Sequence, residues 1–200
     1  LYETEDQAQR SKLIDILNHD VQRIERLITD YSQMLKDEAA LSREKMKKIN
    51  LKLIVSSVVD DFNNIYQPKK GIKIILKELN NQEEYFINGI ENRVEQIIAN
   101  LLDNSISFSD NNQKIIVEIS KNEREKIILK VIDEGKGFKE TSTKKIFDRF
   151  YSNRPDNFGE HSGLGLNIVK NLVDLHGATI YASNNIAENG ANVEIAFPKV

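Results

Sequence analysis

From position 17 onward, Leu17, Val21, Ile24, Ile28, Tyr31 and Leu35 follow one another in alternating steps of four and three. That is the seam of a coiled coil or helical bundle, about 3.5 residues per turn, and it predicts one long helix over residues 7–42. Asp20, Arg23, Arg26 and Lys36 fall off the seam. A stripe this narrow is not satisfied alone, so the helix needs a partner. No other segment has a matching length, so the partner is expected to be missing or to come from another molecule. Residues 43–50 are dense in charge and mark a boundary between 1–45 and a second unit, 46–200.

Beyond the boundary the pattern changes. Leu53, Ile54, Val58 and Phe62 predict a shorter helix over 51–66. Pro68 and Gly71 predict a turn over 67–71. Strands are predicted at 72–76 and 85–87, with Asn80 and Asn81 turning between them. Residues 91–108 read as a strongly amphipathic helix. Two strands, 114–119 and 126–132, are joined by a polar turn. A polar stretch, 138–160, carries one short helical piece near Ile146. A helix over 163–175 and strands at 179–182 and 191–197 complete the chain. Strands joined by hairpin-length turns, mixed with helices, predict an α+β fold, helices packed on a mixed β-sheet, and argue against a doubly wound parallel sheet.

Two hundred residues suffice for one domain, or for one domain with an appendage. The 40% hydrophobic and 30% charged content suits a globular chain. A net charge of −3 gives no support for a nucleic-acid surface. Without cysteine, disulfides and thiolate metal sites are excluded, which fits a cytoplasmic setting. No stretch has the apolar length of a membrane span. The first residue is Leu1 rather than Met, so the expectation is a fragment of a longer protein.

Three short segments carry candidate chemistry. Asn100 and Asn104 are four apart on the predicted helix and share a face. Paired amide oxygens suit Mg²⁺, which keeps waters and takes substrate phosphate oxygens; the same spacing also suits two solvated helix residues. Asp133-Glu134-Gly135-Lys136-Gly137 ends a strand, and its glycines permit a tight turn and close approach to a ligand. A carboxylate at that corner can accept from an exocyclic amine such as that of adenine, although an ordinary loop has the same text. Ser162-Gly163-Leu164-Gly165-Leu166 opens a helix, where backbone N–H groups and absent side chains favour an anion; a simple Ser162 cap is the alternative. Between the second and third segments lie about 25 residues, long enough for a lid. They hold Arg149 and Arg154, suited to phosphate, and the aromatics Phe147 and Phe150. Phe147 is expected to serve in packing.

In order and spacing these segments resemble the four boxes of the GHKL ATPase superfamily, specifically its sensor histidine kinases. Asn92–Gln96 through Ser105 resembles the N box, Asp133–Phe138 the G1 box, Ile146–Tyr151 the F box, and Ser162–Val169 the G2 box. His176-Gly177-Ala178 and Phe197-Pro198 also fit, so the likeness covers roughly residues 50–200. The text of 149–165 and Asn18-His19-Asp20 look most like the ChvG/ExoS type of alphaproteobacteria.

The resemblance implies a Bergerat-type α/β sandwich that binds ATP with Mg²⁺. It implies Asn100 on the metal, Asn104 near metal and phosphates, and Asp133 on the adenine amine. Gly163 and Gly165 would cradle phosphates, and Arg149 would approach the γ-phosphate. By the same likeness Ser107, Phe108, Gly135, Gly137, Phe150, Leu164 and Leu166 line the nucleotide site. Gln96 stands one turn before Asn100, where hydrolysing members such as gyrase carry a glutamate base. Glutamine there implies transfer to histidine over hydrolysis. Residues 7–42 resemble the second helix of a dimerisation and histidine-phosphotransfer hairpin. The acceptor histidine is then expected on an upstream helix, and the chain alone is not expected to autophosphorylate. His19 lies on the wrong helix for the acceptor, and neither His161 nor His176 is assigned a catalytic role. The implied partners are a response regulator and, in the full-length protein, a second copy. The implied setting is the cytoplasmic part of an inner-membrane sensor kinase, with no membrane contact by this stretch. Ser107, where many relatives have a basic residue, and Ala191, where many have threonine, each remove one possible ligand contact. An anti-sigma-type kinase of the same superfamily and a nucleotide-dead dimerisation scaffold are the alternatives; the heptad seam argues against the first, the intact boxes against the second.

Overall fold

A computed structural model describes residues 9–18, 20–22, 24–25, 28–29, 31–32, 44–79, 84–139, 143–149, 151, 163–185 and 190–200. The described residues between positions 9 and 32 are helical (α1). Leu13, Leu17, Val21, Ile24, Ile28 and Tyr31 on this helix are all exposed, so the predicted seam is uncovered by the rest of the described chain. The predicted extension to residue 42 lies outside the described residues, as does the Asn80-Asn81 turn.

The charged run 43–50 holds a strand that the sequence did not predict. Lys47–Asn50 forms a strand, β1, paired antiparallel with β3, Phe86–Gly89. Its lysines masked it in the sequence; Lys48 extends over the Phe86 ring, 4.3 Å from its centroid, a favourable placement for a cation. Asn50 then caps α2, Leu51–Lys70, by accepting from the Lys52 N–H at 3.1 Å. This helix runs one turn past the predicted end and contains Pro68. Proline forfeits one helical hydrogen bond there, and the helix stops only at Gly71. That residue has φ 68° and returns its N–H to the Gln67 carbonyl at 3.0 Å, a left-handed cap that glycine adopts at little cost.

The remaining elements are β2 (Lys73–Glu78), α3 (Glu91–Phe108), β4 (Lys114–Lys121), β5 (Ile127–Asp133), a 3₁₀ turn (Thr143–Phe147), α4 (Gly165–Leu175), β6 (Thr179–Asn185) and β7 (Gly190–Phe197). The larger sheet has the order β2-β4-β5-β7-β6. Among the described strands only β2 and β4 pair in parallel. Period-two alternation separates the faces of the sheet. Ile115, Val117, Ile119, Leu129, Val131, Val193, Ile195 and Phe197 are buried in one cluster with Ile97, Ile98, Leu101 and Leu102 of α3. On the opposite face the register aligns Lys77, Glu118, Lys130 and Glu194 across four neighbouring strands, with Lys130 and Glu194 3.2 Å apart. Helices α2, α3 and α4 cover the apolar face, giving the expected α+β layering of helices on a mixed sheet.

Candidate functional site

Asp133 is the last residue of β5 and is only 3% exposed. Its Oδ1 accepts from the Gly135 N–H at 2.9 Å and the Ala191 N–H at 3.0 Å, and the Ser105 hydroxyl adds a further hydrogen bond. Burial nevertheless pushes the carboxyl above the usual carboxylate range, with those bonds offsetting part of the rise. The glycines fit for a steric reason. A Cβ on Gly135 would lie 2.6 Å from the Phe108 carbonyl oxygen, and one on Gly190 only 1.6 Å from the Asp133 carbonyl oxygen. The corner is thus made by the end of β5, the end of α3 and the start of β7 pressed backbone to backbone. Ala191, seen in the sequence only as a missing contact, contributes through its N–H.

Asn100 and Asn104 are half-buried on α3, held by Leu101 and Leu102, which are buried. The Asn100 Oδ1 lies beside the start of α4; a Cβ on Gly165 would stand 3.7 Å from it. Helix α4 begins at Gly165, not at Gly163, which has φ 73°. Its N-cap is the buried Leu164, which offers no side-chain acceptor to the first-turn N–H groups. The N–H groups at a helix start favour an anion. Leu166 packs against the core. Asn167 fastens α4 to the 3₁₀ turn by donating to the Phe147 carbonyl at 2.8 Å. Phe147 itself packs against the core, the role expected of it. Ser107 turns back onto its own helix, its hydroxyl donating to the Asn104 carbonyl at 2.7 Å. Arg149 is exposed after the 3₁₀ turn. Phe150, Arg154, His19, His161 and Ser162 lie outside the described residues.

Helix α3 therefore touches both halves of the site: Ser105 and Phe108 meet the Asp133 corner, and Asn100 meets the start of α4. A buried carboxylate, two side-chain amides and a helix N-terminus can respectively take an amine, a hard cation and a phosphate.

Gln96, one turn before Asn100 on α3, has a neighbour that the sequence did not reveal. Its Oε1 accepts from Arg93 Nη1 at 3.1 Å. Arg93, with only 8% of its side chain exposed, also grips Glu44 through Nε at 2.9 Å and Nη2 at 3.1 Å. His176 is another residue whose structural role was not anticipated. It is buried, accepts from the Ile90 N–H at Nε2 (3.1 Å) and contacts the Leu172 carbonyl with Nδ1 at 2.7 Å. Burial holds its pKa below the ordinary histidine value. Tyr66 donates to Asp103 at 3.4 Å, joining α2 to α3. A cleft of about 420 Å³ beside Glu44, Ile49 and Glu91 is lined by none of the predicted site residues.

Residues 89–200 match the family described as histidine kinase-, DNA gyrase B-, and HSP90-like ATPase, and the chain belongs to that family. Its likeness is to the sensor kinases within it. The chain is 34% identical to sensor protein ChvG of Rhizobium meliloti over 187 residues, 90% of this chain and 32% of that protein. It is 33% identical to ChvG of Agrobacterium fabrum over 205 residues, 98% of this chain and 34% of that protein. It thus spans about a third of the length of these curated relatives. The catalytic domain of histidine kinase ThkA superposes with a TM-score of 0.67 at 26% identity, covering 78% of this chain and 98% of that one. ThkA in complex with response regulator protein TrrA shares the fold, with a TM-score of 0.70 at 24% identity over 94% of this chain and 51% of that one.

Proposed function

We propose that this chain is the ATP-binding and catalytic part of a protein-histidine kinase in a two-component system. The observation that carries the reading is the span of α3, which joins the buried Asp133 corner at one end to Asn100 and the start of α4 at the other. Asp133 takes the adenine amine, with Gly135, Gly137 and Phe108 forming the loop around the base. The start of α4, from Gly163 to Leu166, takes phosphates. Asn100 and Asn104 supply oxygen to Mg²⁺, and Arg149 and Phe150 act from the segment before α4. Transfer then depends on positioning and charge stabilisation of the γ-phosphoryl group. Gln96, a neutral amide already engaged by Arg93, is a poor base for water, which favours histidine as acceptor. The exposed seam of α1 suits pairing with a second helix bearing that histidine, in a dimeric bundle where a response regulator docks. Residues 1–45 and 46–200 form the two working units. Such a unit works on the cytoplasmic side of a membrane-anchored kinase, a setting supported by the likeness to proteins named as sensors. Among the described residues no helix is long and apolar enough to cross a membrane.

Calorimetric titration with a non-hydrolysable ATP analogue, with and without Mg²⁺, tests the reading. Binding that strengthens with Mg²⁺ in the wild type and loses that dependence in Asn100→Ala supports it. A well-folded wild type that binds no nucleotide sinks it and leaves a dimerisation scaffold as the better account.

A further inference from the structure

The glycine loop after Asp133 is held at two points. At its start, the Ala191 N–H donates to Asp133 Oδ1 at 3.0 Å. At its far end, Asn184 grips the backbone of Phe138 with both arms of its amide. Its Oδ1 accepts from the Phe138 N–H at 2.6 Å, and its Nδ2 donates to the Phe138 carbonyl at 2.8 Å. Asn184 and Ala191 are cross-strand partners in the antiparallel β6–β7 ladder. One residue pair therefore fixes both ends of the loop.

The grip requires the backbone of Gly137. That residue has φ 67°, and a Cβ there would lie 2.8 Å from Asn184 Oδ1. A side-chain amide offers an acceptor and a donor at this spacing, so it satisfies both polar groups of Phe138 as a paired strand residue would. Asn184 is exposed and its side chain supports no part of the apolar core. Both arms of its amide are spent on the loop.

We infer that Asn184 is a positioning residue for the nucleotide site: clasping Phe138, it holds the 134–138 loop in the shape that presents Asp133 to the base. The inference rests on the nucleotide-binding reading above. Asn184 touches no ligand in this scheme. Without the clasp the loop samples other conformations, and binding must first select the competent one.

The test is calorimetry of the whole chain with adenosine and with the ATP analogue, on wild type, Asn184→Ala and Asn184→Asp, beside thermal melting and amide exchange. Asn184→Ala is expected to weaken both ligands by about tenfold, toward the low end of what two ordinary hydrogen bonds are worth. Melting should move by less than about 4 °C, and the Phe138 amide should exchange faster while that of Ile168 in α4 does not. Asn184→Asp keeps the acceptor but sets a second oxygen against the Phe138 carbonyl, so it is expected to bind no better than the alanine variant. An equal loss for both ligands separates a base-side effect from a phosphate-side one. Wild-type affinity in Asn184→Ala overturns the inference while leaving nucleotide binding intact. Collapse of melting in both variants makes Asn184 a structural residue and overturns it as well. Absence of binding in the wild type overturns the nucleotide reading and this inference together.

Discussion

Replacing Asp133 with asparagine changes one atom at the centre of the site, so its consequences can be worked through. In the folded chain Oδ1 accepts two backbone N–H groups, and burial outweighs them, leaving the carboxyl easier to protonate than in water. An asparagine oxygen can keep both bonds. Each loses its charge assistance, about 1 kcal/mol, while the cost of burying a charge, several kcal/mol, disappears. The fold should therefore be at least as stable at neutral pH. Binding goes the other way. On the proposed reading Oδ2 becomes an NH₂ that faces the adenine amine, so a charge-assisted bond is lost and two donors oppose each other. The sum is about 3–5 kcal/mol, or between a hundredfold and a few thousandfold in Kd. The pH dependence follows from the raised pKa: the folded state holds this proton more tightly than the unfolded chain. Asp133 therefore contributes stability below its ordinary pKa, and that contribution is lost as pH rises through its folded value. The Asp133→Asn variant should lack that slope in a urea-stability profile across the acid range. The assays are denaturant titration at several pH values and calorimetry with the nucleotide analogue. A variant that binds like the wild type, or that is less stable by more than about 2 kcal/mol at neutral pH, refutes the reasoning.

Three further outcomes are expected. His176, neutral and buried with a lowered pKa, keeps its full contribution above the ordinary histidine value of about 6.5 and loses it as pH falls through that value toward its folded one; urea titrations should show that slope in the wild type and not in His176→Phe, and parallel curves would contradict the assignment. Arg93→Lys should cost about 1–2 kcal/mol in denaturant titration, because an ammonium cannot reproduce the fork to Glu44 and Gln96; a double-mutant cycle with Glu44→Gln should return a coupling above about 0.5 kcal/mol. Gly190→Ala, whose Cβ would overlap the Asp133 carbonyl, should destabilise by about 3 kcal/mol or prevent folding, and a melting temperature near wild type would show that β5 and β7 can separate locally.

What the sequence could reveal was set by how far apart the cooperating residues lie. The 91–108 helix was legible to its ends because its apolar spacing is local and regular. Glycine pairs and the two asparagines were legible for the same reason. Strand β1 was not, because four residues rich in lysine become a strand only when β3, some 40 positions away, supplies the ladder. The end of α2 was misplaced because Pro68 reads as a breaker while Gly71, three residues on, does the terminating. His176 acts on a residue 86 positions away, Arg93 on one 49 away and Asn184 on one 46 away. No spacing rule reaches across such separations, so these three emerge only from the folded chain.

The same three residues explain how α3 can carry two asparagines, which are poor helix formers, and still stand as a rigid platform. Its N-cap, Ile90, has no side chain with which to cap the helix. The Ile90 N–H is instead accepted by His176 from the end of α4. Arg93 in its first turn is locked to Glu44 in the segment leading into β1. At the other end, the Phe108 carbonyl abuts Gly135 in the loop that Asn184 clasps. The helix is thereby fixed at its start by α4 and the 44–46 segment, and at its finish by the sheet. Asn100 and Asn104, between the two anchorages, need no local propensity to hold their direction. Loosening either anchorage should blunt the site without altering any residue that touches a ligand.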